Sequence, residues 1–216
     1  KTAYEIYQCD WSSDVCSSDL ELFRGLPAHP LFVHMPVVIV PLAGLIAIVF
    51  AFKPAWLDKF GWGLVGLSGV GAIGGILAAS SGEGLEELLR SNGEEITPAL
   101  RDHAEAGDMA RNLAILFFVI VLVAVVVRRL ARTHADNPTG LAKFGASKAG
   151  ATTMSALIAI SAALATWTVA DAGHEGAKLA WCDSTPAGCD ESGAGLGNSD
   201  GGAARSEEHT SELQSH

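Results

Sequence analysis

The chain has 216 residues and a formal net charge of −10, with 14 Lys and Arg against 24 Asp and Glu. A net acidic chain without a basic stripe has no electrostatic footprint for nucleic acid. With 49% hydrophobic residues gathered into long runs, it also lies outside the composition of disordered chains.

The two ends are unlike the rest. Residues 10–20, DWSSDVCSSDL, translate one strand of a common short-read sequencing adapter, and KTAYEI at the start matches the outer part of the same adapter. The closing RSEEHTSELQSH fits the opposite strand. Residues 1–20 and 205–216 are therefore expected to be adapter-derived and are set aside before fold is considered. What remains, Glu21–Ala204, is expected to be a fragment of a natural chain. Its net charge is −5, because the ends carry two bases against seven acids, and its cysteines are Cys182 and Cys189.

Four runs carry no formal charge apart from His34: Leu31–Phe52, Phe60–Ser80, Asn112–Val127 and Ala149–Ala170. About 20 apolar residues in a helix cross the roughly 30 Å hydrocarbon core of a bilayer. The third run is short, but Met109 and Ala110 precede it, and Arg128 and Arg129 follow with stems long enough to reach the interface. An all-α membrane protein results, with four transmembrane helices in a bundle at about 31–52, 60–80, 109–129 and 149–172 within a domain 21–181. Four such runs are rare in one small soluble domain.

Helix one opens with GLPAHPLFVHMP, where Pro30 in the first turn costs no hydrogen bond. Pro36 and Pro41 lie deeper and are tolerated where neighbouring helices satisfy freed carbonyls. Lys53-Pro54-Ala55-Trp56 reads as an interfacial turn. Gly71, Gly75 and Ala79 of helix two form a small-residue ridge, suited to close helix packing or to admitting a flat cofactor. The segment GLEELLRSNGEE is expected to form a short amphipathic helix between helices two and three, ending near Asn92-Gly93. Thr97-Pro98 then starts a helix that runs through His103 into the third span. His103, Gly107, Ala110 and Ala114 repeat at helical spacing; Ser155, Ala159, Ala163 and Trp167 share one side of helix four. Residues 182–204 are too polar and Gly-rich to pack and are expected to be a mobile tail.

Orientation follows from basic residues. Lys53, Lys59, Arg128, Arg129, Arg132, Lys143 and Lys148 flank the loops at one end, whereas the 81–111 stretch holds eight acids against Arg90, Arg101 and Arg111. Basic residues favour the cytoplasmic side. The expected setting is the bacterial inner membrane, with both termini outside and the lipid bilayer as the obligate partner. This places His29, His34, His103 and His174 at the outer rim and His134 on the inner side. Neutral imidazole suits haem iron, zinc and copper. A haem b held by two of these histidines, serving electron transfer to a redox partner on the outer face, is the leading functional expectation. Alternatives are a zinc or other metal site, with Glu175 or Asp102 as further ligands, and simple hydrogen bonding in a non-enzymatic scaffold. His34, about a turn deeper than His29, is expected to be the indispensable member. Cys182 and Cys189 flank a turn-rich spacer and are expected to pair as a disulfide. There is no C-x-x-C-H, Walker, nucleophile-elbow or H-E-x-x-H motif, so hydrolase and transferase chemistry have no signature.

GLPAHPLFVHMPVVIVPLAGL and DAGHEGAKLAW resemble the two ends of a bacterial membrane family, domain of unknown function 2231. Its opening H-P-x-x-V-H-x-P matches His29, Pro30, His34 and Pro36. Its closing segment matches Gly173, His174, Gly176 and Leu179, with Trp181 slightly displaced from the expected aromatic. The resemblance covers about Gly25 to Trp181 and implies four spans without an established activity. Likeness to four-helix haem b membrane cytochromes is looser and rests on histidine placement.

Overall fold

The computed structural model describes residues 22–23, 26–27, 29–136 and 140–181. Both adapter-like ends, Cys182, Cys189 and the expected tail lie outside them. A two-residue antiparallel pairing, β1 (Leu22–Phe23) with β2 (Leu26–Pro27), precedes α1 (His29–Phe52), α2 (Pro54–Ser91), α3 (Pro98–Thr133), α4 (Gly140–Ala146) and α5 (Lys148–Trp181).

The helices begin and end where local chemistry dictates. Lys53 alone separates α1 from α2, because Pro54 withholds an N–H at the first position of the new helix, where none is needed. At the end of α2, Gly93 takes φ +78. The Gly93 and Glu94 amides donate back to the Arg90 and Leu89 carbonyls at 3.0 and 3.1 Å, a Schellman closure that favours glycine. Thr97 then caps α3, its Oγ1 accepting from the Leu100 amide at 3.2 Å. The amphipathic stretch after residue 83 is helical as its pattern requires, and it continues the second span without a break. A separate short helix, α4, lies in the connection to α5.

Each long helix packs chiefly on two neighbours: α1 on α2 and α5, and α3 on α2 and α5. The result is a four-helix square with alternating directions. Its core is built largely from small and β-branched residues, with Val40, Ala43, Ala47, Ala114, Val121, Ile158, Ala162 and Ala165 among the buried. Glycine sets how closely the helices approach. A Cβ at Gly71 would stand 2.9 Å from Val40 Cγ2, and one at Gly44 would stand 2.5 Å from Thr166 Oγ1. The Gly71–Gly75 ridge therefore meets protein: Gly71 faces α1, and Gly75 faces the Arg111 Cα of α3 at 3.6 Å. Of the Ser155 to Trp167 side of α5, Trp167 is 71% exposed.

Four helices are long and apolar enough to cross a membrane. The outward faces of the bundle carry Leu45, Ile73, Leu116, Ile160 and Trp167. Apolar surface on this scale belongs against lipid. The 38 residues of α2 and 36 of α3 rise about 57 and 54 Å at about 1.5 Å per residue, well beyond a bilayer core. The surplus at one end is the acidic hairpin of late α2 and early α3, beyond the start of α1.

Candidate functional site

The start of α1 meets the body of α2 and the early part of α3 at one end of the square. His29 belongs to the buried stripe of α1, seven residues before Pro36 and 11, 14 and 18 before Val40, Ala43 and Ala47, all buried. His103 stands above buried Ala110 and Ala114 on α3. Their side chains, from helices that are diagonal in the square, approach across the bundle. The ring centroids are 6.3 Å apart with planes at 86°.

Each ring rests on a glycine of a different helix. A Cβ at Gly82 of α2 would stand 3.1 Å from His29 Cε1, and one at Gly176 of α5 would stand 2.9 Å from His103 Cε1. All four long helices therefore contribute to one two-histidine site. His29 Nδ1 lies 2.9 Å from the Ala78 carbonyl and 3.2 Å from Ser81 Oγ. A carbonyl only accepts, so Nδ1 carries the hydrogen and donates it. In the neutral ring, Nε2 is then the nitrogen with a free lone pair, the arrangement a metal-ligating histidine uses. Ser81 Oγ also donates to the Ala78 carbonyl at 2.9 Å and braces the same point. His103 Nδ1 is enclosed and makes no well-formed hydrogen bond among the described residues, although the Ala172 main chain lies close enough to interact with the ring.

His34 and His174 stand apart from this pair. Both are exposed, and His34 Nδ1 contacts the Pro30 carbonyl of its own helix. His34 follows His29 by five residues, which turns it about 140° away around a helix of 3.6 residues per turn. The expectation that His34 is the indispensable member is thus replaced at this site by His29, which shares the core stripe. His134 is at the opposite end, within reach of the Leu130 carbonyl and Thr133 Oγ1. Of the carboxylates considered as further ligands, Glu175 is engaged by Lys178 Nζ at 2.8 Å and Asp102 is exposed. Ser81, Gly82 and Gly176 were not singled out as site residues by the sequence. Only the glycine beside His174, inside the matched closing motif, carried a signal.

The donor set discriminates between metals. Zinc takes three or four protein ligands, and among the described residues no group of three or more His, Cys, Asp or Glu could hold an ion. Haem iron asks the protein for two axial ligands, because the macrocycle supplies the rest. Metal–imidazole bonds are about 2 Å long, so two nitrogens on one ion stand about 4 Å apart. Imidazoles with centres 6.3 Å apart can meet that spacing. Two histidines match the number of axial ligands a haem iron takes and are fewer than zinc takes.

No curated protein and no solved structure shows a significant match to this chain. A family model does, over residues 25–186, spanning all four long helices and both histidines of the pair. The chain belongs to the family described as "Predicted membrane protein (DUF2231)".

Proposed function

We propose that this protein binds haem b between His29 and His103 and serves as an electron-transfer element of the bacterial inner membrane. The observation that carries the reading is the approach of two imidazoles from diagonal helices. One has its free nitrogen set by the Ala78 carbonyl; the other has an enclosed nitrogen with no well-formed hydrogen bond among the described residues. When bound, the haem would supply one-electron chemistry. The protein would hold the iron through His29 Nε2 and a His103 nitrogen, fix the first ring by the Ala78 and Ser81 contacts, and keep the site within the bundle. The excess of Lys and Arg at the other end supports placing the histidine end outside, where a redox partner would dock.

The test is the absorption spectrum of the full chain purified from haem-replete membranes. Wild type is expected to show a Soret band with the sharp α/β bands of a low-spin, bis-imidazole haem. His29→Ala and His103→Ala are expected to lose it, and His34→Ala and His134→Ala to keep it. No Soret band in wild type, or one that survives in the His29→Ala/His103→Ala double variant, overturns the reading. His29 would then be a latch joining α1 to α2, and the protein a membrane scaffold.

A further inference from the structure

The end of the bundle opposite the histidines holds a second polar site that the haem reading does not use. Asp58, near the start of α2, receives Arg128 of α3 in a fork: Nε to Oδ1 at 2.6 Å and Nη2 to Oδ2 at 2.7 Å. Arg128 Nη2 also reaches the Pro54 carbonyl at 3.4 Å. One turn on, Arg132 donates through Nη2 to the Asp58 main-chain carbonyl at 3.1 Å, and the same atom stands 3.5 Å from Oδ1. Two guanidiniums therefore share one carboxylate. The fork engages Arg128 through two nitrogens, and Arg132, half-exposed, uses only Nη2 on protein among the described residues.

Both arginines and Asp58 line a cleft of about 280 Å³ whose remaining walls are Ala131, Gly145, Ala146 and Ala151. Gly145 keeps this wall thin, since a Cβ there would stand 2.7 Å from Val127 Cγ1 and 3.0 Å from the Val127 carbonyl. The cleft thus sets two guanidiniums against one carboxylate, a net positive charge, between small apolar walls. It is at or below the lower end of the roughly 300–1,000 Å³ of drug-sized sites, a headgroup scale. Exposed Trp56, Phe60 and Phe144 stand at the same end, as residues at a lipid–water boundary do. Arginine's planar fork suits phosphate oxygens. We infer that this cleft binds a phosphate group, with Arg132 as its principal donor. An anionic lipid headgroup and a free phosphate ion share that chemistry.

The test uses the full chain. One arm compares its melting temperature in nanodiscs of phosphatidylglycerol with that in phosphatidylcholine. The other compares sodium phosphate with sodium chloride at equal ionic strength in neutral detergent. Wild type is expected to be stabilised by phosphatidylglycerol if the source is lipid, or by phosphate in detergent if it is the free ion. Arg132→Gln, which keeps a polar side chain and removes the charge, is expected to weaken binding about tenfold to a hundredfold, the loss of a charged hydrogen-bond donor. Ala151→Leu fills the cleft without touching a charge and is expected to abolish the response, so a folding defect in one variant leaves the other informative. No response in either arm overturns the inference, as does an undiminished response in both variants.

Discussion

Replacing Gly44 by alanine separates two effects that act in opposite directions. Alanine is favoured over glycine within a helix by about 1 kcal/mol, so a glycine with open space around it should gain from the change. Gly44 has none. Its new Cβ would stand 2.5 Å from Thr166 Oγ1 and 3.3 Å from the Ala162 carbonyl oxygen. Thr166 is β-branched and has few rotamers to retreat into, and the carbonyl is held in α5. Overpacking of this kind costs about 1–3 kcal/mol, leaving a net loss of about 0–2 kcal/mol. At Gly63, where nothing lies within 4 Å, the same substitution should stabilise by up to about 1 kcal/mol. The two variants should therefore differ by about 1–3 kcal/mol, measured by reversible unfolding in mixed micelles against the wild type. Adding Thr166→Ala to Gly44→Ala should recover more than the sum of the single changes, because the two residues share one contact. Equal stability of Gly44→Ala and Gly63→Ala would refute the claim that α1 and α5 touch through this glycine.

Gly176→Ala should displace His103, since its Cβ would fall 2.9 Å from His103 Cε1; a changed His103 ring resonance in a histidine-labelled sample, with the fold intact, is the expected result. Asp58→Asn removes the carboxylate that takes both Arg128 donors and should cost about 1.5–3 kcal/mol, as charged hydrogen bonds do; unfolding in micelles reads it. Thr97→Ala loses the cap on the Leu100 amide and should cost about 1 kcal/mol. Faster amide exchange confined to the first turn of α3 is the expected signature.

Much of this protein follows from residues read in a line. Span length is a local quantity, set by how many apolar residues cover the hydrocarbon core, and the four runs met that condition without reference to one another. Helix ends were equally local: Pro54, Asn92-Gly93 and Thr97-Pro98 each stop or start a helix through their own backbone chemistry. The facing of each histidine was also in the sequence, for His29 is in phase with Val40, Ala43 and Ala47, whereas His34 is not. Depth along the helix favours His34, about a turn further in, whereas helical phase favours His29. Which histidines meet was decided by the tertiary structure alone. Lipid solvates one apolar helix face about as well as another, so hydrophobicity does not choose neighbours in a membrane, and close packing at small residues does. Gly71 against Val40 and Gly44 against Thr166 set the square, and the square brings His29 to His103. The same packing carries Gly82 and Gly176 beneath the two rings, and Asp58 to Arg128 from 70 residues away.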